Sequence, residues 1–207
     1  MSKFITLEGI EGVGKTSNLH FIQSLLEKAG RGCVVTREPG GTPLGESLRA
    51  LLLEHDSEQM SADAELLLMF AARAEHINKV IRPALAQGKD VLCDRFTEAT
   101  YAYQGGGRGL DIRKIELLEN WVQGELRPDL TLVLDAPVAI GRARAGKRSA
   151  PDRIEQEHDA FFDRVRAAYR EMAQHYPQRI CLVDATQALP AVQAEIEMRL
   201  HEYDILD

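Results

Sequence analysis

The chain has 207 residues, enough for one well-buried domain and short for two, with 28% charged and 44% hydrophobic residues, a balance ordinary for a soluble globular protein. Its net charge of −7 disfavours nonspecific nucleic-acid binding as the main role. No apolar run reaches the length of a membrane span and the N-terminus enters a strand almost at once, so we expect a cytoplasmic protein without a membrane partner.

Phe4-Ile5-Thr6-Leu7-Glu8 is short, apolar and partly β-branched, as a buried strand should be, and the residues from Asn18 onward run with helical periodicity. Between them, Gly9-Ile10-Glu11-Gly12-Val13-Gly14-Lys15-Thr16 is a complete G-x-x-x-x-G-K-S/T phosphate-binding loop. Its three glycines let the backbone curl so that successive N–H groups converge on a polyphosphate at the positive end of the helix. Lys15 adds an ammonium for the β- and γ-phosphates, and the Thr16 hydroxyl suits magnesium. The motif alone points to a nucleoside triphosphate and no further, since switches, motors, transporters and kinases share it.

Cys33-Val34-Val35-Thr36 reads as a second strand, and the prolines and glycines of Arg37-Glu38-Pro39-Gly40-Gly41-Thr42-Pro43 force a loop. Apolar residues at three and four spacing predict helices over 44–53 and 62–85, the second stopped by Gly88. Asp90-Val91-Leu92-Cys93-Asp94 is a third strand ending in a carboxylate, followed by a stretch whose glycines, 105 to 109, predict a flexible loop. A helix over 112–122, a strand Leu130-Thr131-Leu132-Val133-Leu134-Asp135, a helix over 161–172, a fifth strand Ile180-Cys181-Leu182-Val183 and a helix over 192–200 complete the chain. The odd count of three cysteines, each at or inside an apolar stretch and without C-x-x-C spacing, argues for reduced core thiols rather than disulfides or zinc.

Strands alternating with helices predict a doubly wound α/β fold: a five-stranded parallel sheet flanked by helices, in one domain over 1–207. In such sheets ligands bind beyond the carboxyl ends of the strands. There the sequence puts the phosphate loop, Arg37-Glu38-Pro39, Asp94-Arg95, Asp135 and Asp184. Recurring arginines and carboxylates at one sheet edge suit phosphoryl transfer, where cations offset two facing phosphates and acids hold the metal. Asp94 and Asp135 compete as the magnesium carboxylate; Asp94 is favoured because Arg95 beside it offers a guanidinium fork for an acceptor phosphate. Arg142, Arg144, Lys147, Arg148 and Arg153 form a basic stretch with one acid among them, Asp152. A mobile lid over about 142–153 would let these arginines close on ATP and exclude water.

The phosphate loop, Arg37-Glu38-Pro39-Gly40-Gly41-Thr42 and the run Asp94-Arg95-Phe96-Thr97-Glu98-Ala99-Thr100-Tyr101-Ala102-Tyr103-Gln104 together resemble the bacterial thymidylate kinases, of the P-loop nucleoside monophosphate kinase type. The likeness extends to Asp152-Arg153-Ile154-Glu155 and Asp184-Ala185-Thr186-Gln187. It implies transfer of the γ-phosphoryl group of ATP to dTMP, giving dTDP for dTTP synthesis, with Mg2+ and as a homodimer. By the same resemblance, Arg95 holds the acceptor phosphate, Glu11 approaches the 3′-hydroxyl and Glu38 and Pro39 line the acceptor cleft. Thr100 and Gln104 face the base, Tyr103 crowds the sugar 2′ position, and Arg73 hydrogen-bonds the thymine edge. ATP contacts fall on residues 9 to 16, Arg142 and Gln187. Because the phosphate loop carries Glu11 and no arginine, the chain resembles the subtype whose catalytic arginine comes from the lid, with Arg148 and Arg153 the first choices. Two positions depart from the family. Met69 stands where an aromatic is usual, one turn before Arg73, with Phe70 three positions before it; both fall on the Arg73 face and either could stack on the base, Phe70 being the first choice. Ala99 stands where serine is usual.

A GTP switch would need an N-K-x-D guanine reader, and Asn78-Lys79-Val80-Ile81 lacks the aspartate. A deoxynucleoside kinase of the same fold would need a general base in place of a phosphate clamp, and a nucleotide-sensing module without turnover would have no use for Lys15, Thr16, Asp94 and Arg95 together.

Overall fold

A computed structural model describes residues 1–53, 60–145 and 152–206. Five strands, β1 (Phe4–Glu8), β2 (Cys33–Arg37), β3 (Asp90–Asp94), β4 (Leu130–Asp135) and β5 (Ile180–Asp184), form one sheet in the order β2-β3-β1-β4-β5. All four pairings are parallel, with Thr6 in register with both Cys93 and Thr131. β1 is buried along its whole length and β3 and β4 up to their last residue, which is why these segments read as continuous apolar runs rather than alternating ones. The polar exception at the centre is satisfied internally: Thr6 Oγ1 and Thr131 Oγ1 share a hydrogen bond of 2.8 Å between neighbouring strands.

Helices cover both faces. One face carries α1 (Lys15–Lys28), α8 (Asp159–His175) and α9 (Leu189–Glu202), whose Ile22, Leu26, Val165, Tyr169, Ile196 and Leu200 bury against the sheet. The other is covered by α3 (Ala62–His76), which continues through a π-helical turn (Ile77–Ile81) into α4 (Arg82–Ala86), with Ile77 and Ile81 packed on Phe4, Val91 and Phe96. The single helix expected over 62–85 is thus one continuous rod, widened where Ile77 and Ile81 seat on the sheet. α2 (Pro43–Leu53) packs on α3, and α6 (Ile112–Gln123) joins α3 through Leu66, Phe70 and Ile115.

Two expectations are corrected. Residues 101–107 form a π-helical segment (Tyr101–Gly107) continuing α5 (Thr97–Thr100), so Gly105, Gly106 and Gly107 belong to a helix and not to a flexible loop. Their use is steric: a Cβ on Gly106 would stand 2.8 Å from Ala168 Cβ, and one on Gly107 would enter the Phe161 ring, so the glycines let this helix lie directly against α8. Arg142 and Arg144 likewise fall on a helix, α7 (Val138–Ala145), rather than in the lid loop. Lys147 and Arg148 lie outside the described residues.

Candidate active site

A cleft of about 360 Å³ opens at the carboxyl ends of β1, β2 and β3. Its phosphate end is built by the turn from β1 into α1. Gly9 has φ 130° and a Cβ there would stand 2.6 Å from the Leu134 carbonyl, so no other residue passes this close to β4. Ile10 and Val13 are buried anchors for the loop, while Glu11, Gly12, Lys15 and Thr16 face the cleft. Gly14, in the left-handed region, leads into α1 with no side-chain cap, leaving the helix N-terminus open to an anion. Lys15 Nζ folds back to the carbonyls of Gly9 and Ile10, each at 3.1 Å. Burial, with help from the nearby Arg95 charge, brings its ammonium down to about 8, against the opposing pull of Asp94, Glu11 and Glu8.

Across the cleft, Arg95 holds φ 70°, a left-handed backbone in a residue that is not glycine. The conformation is fixed from both sides: Arg95 N donates to the Leu7 carbonyl at 3.0 Å and Phe96 N to Glu8 Oε1 at 2.7 Å. Its guanidinium lies 4.8 Å over the Tyr103 ring and donates to Glu11 Oε1 at 2.6 Å, while the Tyr103 hydroxyl also donates to Glu11. Behind it, Tyr169 accepts from Arg95 Nη1 at 3.5 Å and donates to Glu8 Oε2 at 2.6 Å. Burial, and next the charge of Glu98, pushes the Glu8 carboxyl up to about 8. Glu8 and Tyr169 were not among the residues expected from sequence. An acid inside an otherwise apolar strand, directly before the phosphate loop, was the signal for the first; nothing local marked the second.

The two candidate metal carboxylates part company here. Asp135 is clamped by Arg166 Nε at 2.6 Å and Nη2 at 2.9 Å, with Arg170 adding a third donor at 2.9 Å. Asp94 lines the cleft with Lys15 and Thr16, and its Oδ1 is buried without a hydrogen-bond partner. Among the described residues there is no group of three or more His, Cys, Asp or Glu that could hold a metal by themselves.

The far wall is tied together by hydrogen bonds. Arg73 is sandwiched between the Phe70 and Phe96 rings at 4.8 and 5.1 Å. Its Nε donates to Glu38 Oε2 at 2.7 Å and Nη2 to the Phe96 carbonyl and Thr100 Oγ1 at 3.0 Å each, leaving Nη1 buried with no partner. Glu38, which precedes Pro39 through a cis peptide, also meets His76 Nδ1 at 2.8 Å. Pro39, Met69, Thr100, Tyr103 and Gln104 complete the lining. Phe70 does not reach the cleft: it turns to Leu66 and Ile115, and Met69 takes the cleft side. Arg49, unremarked in the sequence, also lines the cleft, its Nη1 donating to the Pro39 carbonyl at 3.0 Å.

The remaining expected residues lie apart from this lining. Arg142 pairs with Asp159 at 2.6 Å and stands over the Phe162 ring; Gln187 is exposed in the turn after β5. Arg153 is turned to Glu65 Oε2 at 2.6 Å and the Leu52 carbonyl at 2.9 Å, while its neighbours Asp152, Ile154 and Glu155 line the cleft. No helix among the described residues is long and apolar enough to cross a membrane.

Comparison with known proteins agrees with this geometry. The family model described as thymidylate kinase matches residues 7–196. The thymidylate kinases of Pseudomonas putida strain F1 and Pseudomonas entomophila strain L48 are each 60% identical over 197 residues, covering 95% of this chain and 94% of theirs. The crystal structure of thymidylate kinase from Ehrlichia chaffeensis superposes with a TM-score of 0.77 at 36% identity, covering 96% of this chain and 98% of that one. A phosphate loop facing an arginine on β3's end, in a sheet and sequence of this kind, admits one assignment: the chain belongs to the thymidylate kinase family.

Proposed function

We propose that the chain phosphorylates dTMP to dTDP with the γ-phosphoryl group of ATP, feeding dTTP synthesis in the cytoplasm, and that its residues divide the work along the cleft. The observation that carries this reading is that one cavity is lined by the Lys15 loop, by Arg95 and by Arg73, whose buried Nη1 is left unpaired. These match a donor phosphate, an acceptor phosphate and the keto edge of a base. ATP phosphates would seat on the N–H groups of residues 9 to 16, with Lys15 drawn off the Gly9 and Ile10 carbonyls to which it now donates. An acceptor phosphate would take the place of Glu11 on Arg95, with Arg49 as a second cation, and free Glu11 for the sugar 3′-hydroxyl. Tyr103, already bonded to Glu11, stands against the sugar and leaves little room for a 2′-hydroxyl. Thr100, Gln104 and Arg73 read the base over Met69, and Phe70 supports the Arg73 guanidinium from beneath.

Thr16 and Asp94 suit magnesium, which commonly takes one or two protein oxygens and completes its shell with phosphates and water; the unpaired Asp94 Oδ1 fits that need and the clamped Asp135 does not. When bound, the ion would neutralise charge on the phosphates being transferred. Of the lid cations, Arg142 and Arg153 are held by Asp159 and Glu65, and Arg148, outside the described residues, is the arginine we assign to the transferring group. The homodimer is supported by an exposed apolar strip on the adjoining α3 and α6: Leu67 is 57%, Leu117 69% and Trp121 81% exposed, the last two one helical turn apart.

A coupled assay of ADP release with ATP, magnesium and dTMP, thymidine, dCMP, dUMP or AMP tests the reading. Turnover is expected with dTMP. Turnover with thymidine and not dTMP would make the chain a nucleoside kinase, and none with any acceptor would make it a sensor.

A further inference from the structure

Glu65 lies on α3 with 1% of its surface exposed, and four donor contacts reach its carboxylate. Gln104 Nε2 donates to Oε1 at 2.7 Å and Arg153 Nη2 to Oε2 at 2.6 Å; Arg108 donates to Oε1 through Nε at 3.4 Å and to Oε2 through Nη2 at 3.3 Å. Burial alone would raise its proton affinity, but the Gln104 and Arg153 hydrogen bonds and the Arg108 and Arg153 charges outweigh it and leave the carboxyl below its ordinary range. The group is therefore ionised, and an ionised carboxylate only accepts.

That restriction reaches the cleft through Gln104. A side-chain amide can present either its oxygen or its NH2 group, and against an acceptor-only neighbour one orientation survives. The NH2 group is committed to Glu65, which leaves the amide oxygen as the end of Gln104 that Glu65 does not engage, in a residue that lines the cleft. On the same wall Arg73 Nη1 is a donor without a partner. A pyrimidine with a 4-oxo group and an N3–H presents the inverse pattern, acceptor beside donor. A 4-amino pyrimidine sets donor against donor and lone pair against lone pair, leaving buried groups unpaired.

We propose that Glu65 is a specificity-determining positioning residue: by holding the Gln104 amide in one orientation it makes the base pocket select 4-oxo over 4-amino pyrimidine nucleotides. The inference rests on the dTMP kinase reading above. Glu65→Gln lets residue 65 offer either end of an amide, so residue 104 is free to turn; Glu65→Asp keeps the charge but withdraws it by one methylene.

The test compares kcat/KM for dTMP and dCMP. Both Glu65 variants are expected to lower the dTMP-to-dCMP ratio by about tenfold, on the order of one buried hydrogen bond on each nucleotide, through a rise in KM for dTMP. Arg108→Met, which removes a cation from Glu65 without freeing the amide, should leave the ratio where it was. Gln104→Leu should lower the ratio by itself, and adding Glu65→Gln to it should change the ratio no further. An unchanged ratio in Gln104→Leu, or in folded Glu65→Gln and Glu65→Asp, overturns the proposal; so does an equal loss in Arg108→Met. A wild-type enzyme inactive on dTMP would instead overturn the functional reading itself.

Discussion

Close helix packing lies behind the cleft, where the glycine helix after α5 meets α8, and Gly106→Ala measures it. On helix propensity alone the substitution should stabilise by about 1 kcal/mol, since glycine is the costliest non-proline residue in a helix. The added Cβ, however, would stand 2.8 Å from Ala168 Cβ and 3.1 Å from the Arg164 carbonyl oxygen. Carbon pairs settle near roughly 3.5–4.0 Å, so the two helices must part by about 1 Å, and forced overpacking of this kind costs about 1–3 kcal/mol. Neither neighbour is a long side chain that can swing aside. Because the strained site would relax only by moving backbone, we take the upper half of that range, for a net loss of about 1 kcal/mol. For a domain of this size that lowers Tm by roughly 2–4 °C. Thermal denaturation of Gly106→Ala, Ala168→Gly and the double variant reads the effect directly. The cycle should show a favourable coupling on the order of 1 kcal/mol, because Ala168→Gly removes one of the two close contacts. The same helix carries Tyr103 and Gln104, so KM for dTMP should rise with the displacement. A Gly106→Ala variant that melts at or above the wild type, without coupling to residue 168, would refute the close-packing argument.

Glu8→Gln should change how stability depends on pH. With its folded value near 8 and an unfolded value near 4.5, Glu8 binds a proton in the folded state that the unfolded chain has released, so its contribution is present below about pH 4.5 and is lost as pH rises toward 8. Urea denaturation at pH 6 and pH 8 should show the wild type losing about 2 kcal/mol more than the variant; equal losses would mean that Glu8 is ionised throughout. Asp94→Asn should raise the magnesium concentration for half-maximal rate by about tenfold or more while dTMP binding without nucleotide, followed by calorimetry, stays within about threefold. An unchanged magnesium dependence would remove Asp94 from the metal site. Tyr103→Ala should admit ribonucleoside monophosphates, narrowing the preference for the deoxy sugar by about tenfold, and an unaltered preference would place sugar discrimination elsewhere.

What the sequence revealed was whatever depends on one element and its immediate neighbours. Five parallel strands could be read from their apolar runs, and the phosphate loop from its glycines and its place between strand and helix. What it hid was decided by partners distant in the chain. Gly106 and Gly107 look helix-breaking because propensity is a local quantity; Ala168 and Phe161, more than fifty residues on, make glycine the residue that fits. Phe70 and Met69 are both near the Arg73 face of α3, and the rotation that chooses between them is set by Ile115 on α6, which draws Phe70 and Leu66 toward itself and leaves Met69 with the cleft. Asp94 and Asp135 are equivalent as strand-end acids until Arg166 and Arg170 on α8 saturate one of them.

The same dependence explains why Arg95 needs an acid that sequence motifs pass over. Arg95 keeps a left-handed backbone, a conformation that costs a residue with a side chain about 1–3 kcal/mol unless its surroundings impose it. The imposing contacts come from β1: the Leu7 carbonyl receives Arg95 N, and Glu8 receives Phe96 N on one oxygen and the Tyr169 hydroxyl on the other. β1 also launches the phosphate loop at Gly9, one residue further on. The phosphate loop and Arg95, proposed to hold donor and acceptor, are therefore fastened to consecutive residues of one buried strand. Their separation is fixed by one backbone hydrogen bond, Arg95 N to the Leu7 carbonyl, and by the buried Glu8 carboxylate. For a reaction whose catalysis is largely positioning of charge, this short covalent and hydrogen-bonded path between the two proposed phosphate sites is the feature through which the fold would act on the chemistry.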